Sequence, residues 1–211
     1  FDRQLKFQSH YARSQFDIDG DVGLAPEDDS NAFSFLLEAT PVIEQLIFDR
    51  ALNVTVGSKY ERIDTFFQSL ANQGLAGDRD AATVYSNIYW DNLSLDMQWS
   101  TETNNVDDLA GLPTDKLQQF LWNSSYLFTP SDEPNHWLGS PYLNFSGFMS
   151  TLSRDKSPLG YIGSDTDNRS RSITVGGGSN YETVYWTVSH TFGHFNDNAN
   201  IVSDTTNDLS S

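Results

Sequence analysis

Cysteine is absent from the 211-residue chain, which removes disulfides, thiolate metal sites and cysteine nucleophiles together. Lysine is scarce: Lys6, Lys59, Lys116 and Lys156 are all there are. No uninterrupted apolar run approaches the roughly 18 residues of a membrane helix, so no transmembrane helix is expected. No serine stands in a nucleophile-elbow pattern. Gly176-Gly177-Gly178 lacks the lysine and following helix of a phosphate loop. Phe1 rather than methionine opens the chain, which points to a processed or trimmed start.

What the chain has in excess is acid. Asp and Glu number 29 against 12 Lys and Arg, for a net charge of −17, and aspartate outnumbers glutamate by 22 to 7. Such a field repels phosphate backbones and argues against direct nucleic-acid binding. In molar salt the Debye length falls to about 3 Å and self-repulsion is screened, so the composition suits a protein adapted to brine.

The clearest local pattern lies between Ser172 and His194. Val184, Trp186, Val188, His190 and Phe192 alternate with Thr183, Tyr185, Thr187, Ser189 and Thr191. A period of two with β-branched and aromatic residues reads as a strand, and Gly176–Gly178 reads as the flexible connection of a hairpin. Val184, Trp186 and Val188 are the expected core side chains. Thr83–Trp90 and Leu93–Trp99 repeat the alternation around Asp91-Asn92. Tyr126–Phe128, Tyr142–Leu152 and Leu159–Ile162 read as further strands. Ile63, Phe66, Phe67 and Leu70 recur at helical spacing, which predicts a helix over residues 59–72, and Thr114 is positioned to cap a short helix to Trp122.

The expected fold is all-β: a jelly roll or β-sandwich, or a single β-barrel of about eight strands, with long acidic loops and one or two short helices. Residues 1–32 are expected to form an N-terminal arm and acidic loop, 33–203 a single domain, and 204–211 a polar tail.

Asp17, Asp19, Asp21 and Asp28 have the spacing of a calcium loop, and calcium needs six to eight oxygen ligands. Val22 stands where such loops place their turn glycine, and a solvated acidic loop is the competing reading. Among the sequons at Asn53, Asn92, Asn123, Asn144 and Asn168, the last is the best glycosylation candidate, since Asn53, Asn92 and Asn144 sit in or beside expected strands. His190 and His194 are about 13 Å apart along a strand, too far to share a metal. Asp132, Glu133 and His136 could serve acid–base chemistry, though loops commonly hold such groups. No catalytic set and no organic cofactor emerges.

Size, aspartate excess, scarce lysine and strand pairs such as ATVYSNIYW and ETVYWTVSHTF together resemble the single jelly-roll major capsid proteins of halophilic archaeal viruses. The resemblance spans the whole chain without a diagnostic motif. It implies a non-enzymatic structural subunit of a virion or other extracellular or cell-surface assembly. Its partners would be copies of itself and related capsid or surface-layer subunits. A carbohydrate-binding sandwich using Trp90, Trp99, Trp137 and Trp186 is the alternative, and a secreted hydrolase the third.

Overall fold

In the computed structural model the described residues are 4–16, 28–68, 77–128, 139–181, 184–199 and 205–210. They form ten strands: β1 (Leu5–Phe16), β2 (Asp28–Ile47), β3 (Arg50–Ile63), β4 (Arg79–Trp90), β5 (Leu93–Thr103), β6 (Thr114–Leu127), β7 (Ser140–Lys156), β8 (Asp167–Tyr181), β9 (Val184–Asp197) and β10 (Thr205–Ser210). All belong to one sheet, in chain order from β1 to β10, and every neighbouring pair is antiparallel. The all-β class is as expected.

The finer architecture differs. Strand order equal to chain order contains none of the long crossovers of a jelly roll, and no second sheet lies against the first among the described residues. Helices are also absent from the described residues. Residues 59–63 end β3, and 114–127 are the whole of β6. Ile63 and Phe67 are both buried and line one hollow, but across a turn after β3 in which Phe67 N–H donates to the Asp64 carbonyl at 3.1 Å. In β6 apolar side chains fall on both faces (Leu117 and Leu121 on one, Phe120 and Trp122 on the other), so the strand period is blurred and a helical reading fits by accident.

The residues expected as an N-terminal arm include β1, which pairs with β2 from Leu5↔Ala39 to Phe16↔Asp28. The expected polar tail includes β10. Leu159–Ile162 is a loop between β7 and β8. The Gly176–Gly178 run lies inside β8 rather than in a turn, and its pairing with β9 runs on to Tyr181↔Val184. Glycine is needed there for space: a Cβ on Gly178 would lie 2.4 Å from the Trp186 carbonyl and 2.7 Å from the Tyr142 hydroxyl.

The connections differ by sheet end. At one end β2–β3 and β4–β5 are joined by Phe48-Asp49 and Asp91-Asn92, and β8–β9 by residues 182–183; only 128–139 is long. Phe48 and Asp49 both have positive φ, 53° and 61°, the signature of a type I′ hairpin turn. At the other end every connection is longer: 17–27, 64–78, 104–113, 157–166 and 198–204.

The surface area decides what kind of sheet this is. A compact protein of 23.7 kDa exposes about 9,800 Å², whereas this chain exposes 14610 Å². The only buried large apolar side chains among the described residues are Ile63 and Phe67. Val184, Trp186 and Val188, expected as core, are 61%, 51% and 61% exposed. Their alternation is real, but the face they share is turned outward.

Candidate functional site

Register assigns each residue to one of two faces, because cross-strand partners project to the same side. One face carries Leu5, Phe7 and Tyr11 of β1, then Phe33, Phe35 and Leu37 of β2 opposite them. It continues through Leu52, Val54, Val56 and Tyr60 of β3 to Ala82, Val84, Ile88 and Trp90 of β4. Leu93, Leu95, Met97 and Trp99 of β5 lead to Phe120, Trp122 and Tyr126 of β6. Leu143, Phe145 and Met149 of β7, Ile173 and Val175 of β8, and Val184, Trp186, Val188 and Phe192 of β9 complete it. Most of these side chains are substantially exposed. The four described tryptophans, Trp90, Trp99, Trp122 and Trp186, all stand on this face.

The opposite face is mostly polar, interrupted by Leu36, Leu117, Leu121, Phe148 and Leu152. It presents Glu38, Lys59, Glu61, Arg79, Tyr85, Asn87, Asp96, Gln98, Glu102, Asn123, Ser146, Ser172 and Thr174 in the same registers. Arg79 bridges Glu61 and Glu102 at 2.9 Å each, and Lys59 reaches Glu61 at 2.9 Å. Asn87 donates to Asp96 at 2.7 Å. A hollow of about 650 Å³ opens here, with lining residues from Tyr85 and Asn87 on β4 to Ser172 and Thr174 on β8.

Tyr85 is the most perturbed group of this face. Its hydroxyl donates to Glu38 Oε2 at 2.5 Å. Burial, then that hydrogen bond, then the carboxylate charge push the phenol up to about 12. Tyr60 is raised for the same reasons, burial first and its 2.9 Å bond to Asp80 second.

The long-connection end is strongly acidic. Its five connections carry ten carboxylates and no lysine or arginine. Several hold loop backbone in place: Asp64 accepts from Asn31 N–H, Asp78 from Val106 N–H and Asp107 from Thr65 N–H, at 2.8, 2.8 and 2.9 Å. Arg154 anchors the same end. Its side chain is 8% exposed; Nε donates to Asp115 at 2.7 Å, one terminal nitrogen to the Ser164 carbonyl at 2.9 Å and the other to the Thr166 hydroxyl at 3.1 Å. The Asp115 carboxylate raises its pKa further.

Of the expected calcium ligands, Asp17, Asp19 and Asp21 lie outside the described residues, and Asp28 opens β2 opposite Phe16. Among the described residues no three His, Asp or Glu side chains converge as a metal site. Asn168, expected in a loop, is in β8, paired with Leu152 and Asp197. His190 and His194 both stand on the apolar face, His190 against Phe192 with ring centroids 4.2 Å apart. Asp132, Glu133, His136 and Trp137 lie outside the described residues.

Sequence reasoning did not find the sheet-wide apolar face. The signal was period-two alternation in successive strands, combined with two-residue connections at alternate joins. No protein-family model, curated protein or solved structure matches this chain.

Proposed function

We propose that the chain forms part of the wall of a membrane-spanning β-barrel, with its apolar face against lipid and its polar face toward a water-filled interior. The supporting observation is the two-faced register: apolar outside, polar inside and alternating along each strand is the pattern of such walls. In water an exposed apolar surface of this extent is a liability, since soluble monomers rarely expose patches beyond a few hundred Å². The strands are 11 residues or longer except for the six of β10, and a tilted membrane strand needs about 9–11. Leu52 to Tyr60 spans about 27 Å of extended chain, near the roughly 25 Å height of an apolar membrane band. Tyr11 and Tyr60 stand toward one border of the band, and Trp90, Tyr126 and Trp186 toward the other, as interfacial aromatics do.

No helix among the described residues is long and apolar enough to cross a membrane, a fact silent about strands. In lipid every edge N–H and C=O needs a partner, so this reading requires partner strands along the outer edges of β1 and β10. The acidic end would surround one mouth of the interior with negative potential, favouring cationic or neutral polar solutes over anions.

The test is insertion into phosphatidylcholine vesicles followed by tryptophan quenching. Brominated acyl chains should quench most of the emission, and aqueous acrylamide little. The reverse pattern would sink the reading.

A second reading keeps the assembly subunit of a virion or cell surface in brine. Among the described residues no strand pairs with the outer edge of β1 or of β10, which favours it, because another copy can extend the sheet at such an edge. Shells, lattices or filaments in molar salt that disperse on dilution would support it; a monodisperse species at all salt concentrations would remove it.

A further inference from the structure

We propose that the apolar face carries a binding site for an anionic phospholipid, built where β7, β8 and β9 leave the apolar band. This rests on the membrane-wall reading and names one lipid class that the wall would hold. Two cations stand in successive outward rows of β8, Arg169 opposite Asn196 and Arg171 opposite His194. The next outward row is apolar, Ile173 opposite Phe192. Two adjoining hollows of about 360 and 300 Å³ meet at Met149, Arg171 and His194. The first runs down over Ile173 and Phe192; the second runs up beside Thr151, Arg169 and Asn196.

A phospholipid has the matching order of parts. Its phosphate lies at the border of the hydrocarbon, and its acyl chain runs away from that border. The phosphate fits between the Arg169 and Arg171 guanidiniums, which grip phosphate oxygens through forked donors. The chain then lies along Ile173 and Phe192. Charge complementarity selects the anionic headgroup. In a chain of net charge −17, two arginines on one outward strand face are a local reversal of sign. Two acids share this part of the outward face: Asp167, 3.9 Å from Arg169, whose side chain remains 65% exposed, and Asp208 of β10, the partner of Phe192.

The protein is inserted into vesicles of pure phosphatidylcholine, and separately into equal phosphatidylcholine and phosphatidylglycerol. Lipid retained after detergent extraction is then identified by mass. The mixed vesicles should yield protein enriched in phosphatidylglycerol. R169Q/R171Q should weaken that retention roughly 30-fold, at about 1 kcal/mol per basic residue near an anionic surface. R169K/R171K, which keeps the charges but not the forked donors, should restore only part of it, and R50Q, at the short-turn end, should leave it unchanged. Insertion into pure phosphatidylcholine without enrichment from the mixture overturns the lipid site and leaves the wall standing. Equal retention by R169Q/R171Q, inserted to the same extent, does likewise. Failure to insert into phosphatidylcholine overturns the wall and this site with it.

Discussion

The ring of Tyr85 covers Gly57, the residue directly opposite it on β3: a methyl group at Gly57 would lie 2.2 Å from Tyr85 Cζ. Glu38 is the next partner in the same row, paired with Gly57 from β2. The glycine therefore lets the tyrosine cross a strand and reach the carboxylate. Gly57→Ala should force the ring aside and cost about 1–3 kcal/mol, the usual range for overpacking. Tyr85→Phe should cost about 1.5–3 kcal/mol by removing a hydrogen bond to a charged acceptor. In urea unfolding of the detergent-solubilised protein, G57A/Y85A should lose less than G57A and Y85A lose when added together.

The same pair sets an alkaline limit. The folded Tyr85 phenol titrates at about 12 against about 10 for a free tyrosine. Its neutral form is favoured by folding, so its contribution is fully present below about pH 10 and is lost as pH rises through about 12. Ultraviolet titration should show late-ionising phenol that Y85F diminishes. An unchanged titration curve in Y85F would refute the assignment.

Arg154 and Asp115 make a forked pair, Nε to Oδ1 at 2.7 Å and a terminal nitrogen to Oδ2 at 3.2 Å. The Tyr161 ring lies 4.9 Å from the guanidinium carbon. Arg154→Met strands the carboxylate and frees the Ser164 carbonyl, at a cost of about 3 kcal/mol. Arg154→Met with Asp115→Leu should recover much of that loss, because no unpaired charge remains. Equal stability of R154M and the native protein in urea titration would show the pair to be solvated.

Alternation was legible in the sequence, but its meaning was not. Val184, Trp186 and Val188 share a face as period two requires, yet the same pattern serves a protein core and a lipid contact alike. What distinguishes them is whether anything packs on that face, a tertiary fact absent from any one strand. Gly176–Gly178 looked like a turn because glycine usually punctuates; here it makes room for Tyr142. Ile63 and Phe67 are both buried across a turn, as they would be on one face of a helix, so spacing could not separate the two. The acid excess was plain from composition, whereas its concentration at one sheet end needed the strand boundaries.

Asp78 ties two of the long connections together. Its Oδ1 accepts from Val106 N–H at 2.8 Å and from the Thr65 hydroxyl at 2.9 Å. Asp78→Ala leaves both donors without this acceptor and should cost about 1–3 kcal/mol, felt locally rather than across the sheet. Hydrogen exchange should quicken at Val106 while strand amides keep their protection. Uniform loss of protection would mean that these loops hold the whole sheet.

The two faces make opposite demands on adjacent residues, and Thr174 and Val175 are the sharpest pair. Thr174 lines the polar hollow and exchanges a hydroxyl hydrogen bond with Thr191 at 2.8 Å. Val175 stands on the apolar face opposite Phe145 and His190. Lysine on a lipid-facing strand position costs about 2–4 kcal/mol near the bilayer midplane and much less near its borders. Val175→Lys should therefore impair folding into phosphatidylcholine vesicles, while Thr174→Lys should lose only its hydroxyl contact, about 1 kcal/mol. Because the chain has no cysteine, single cysteines at the two positions give an independent reading. A water-soluble maleimide should label Thr174→Cys in the inserted protein and spare Val175→Cys, with both labelled after unfolding in urea. Equal labelling of the two in vesicles would show that neither face is against lipid.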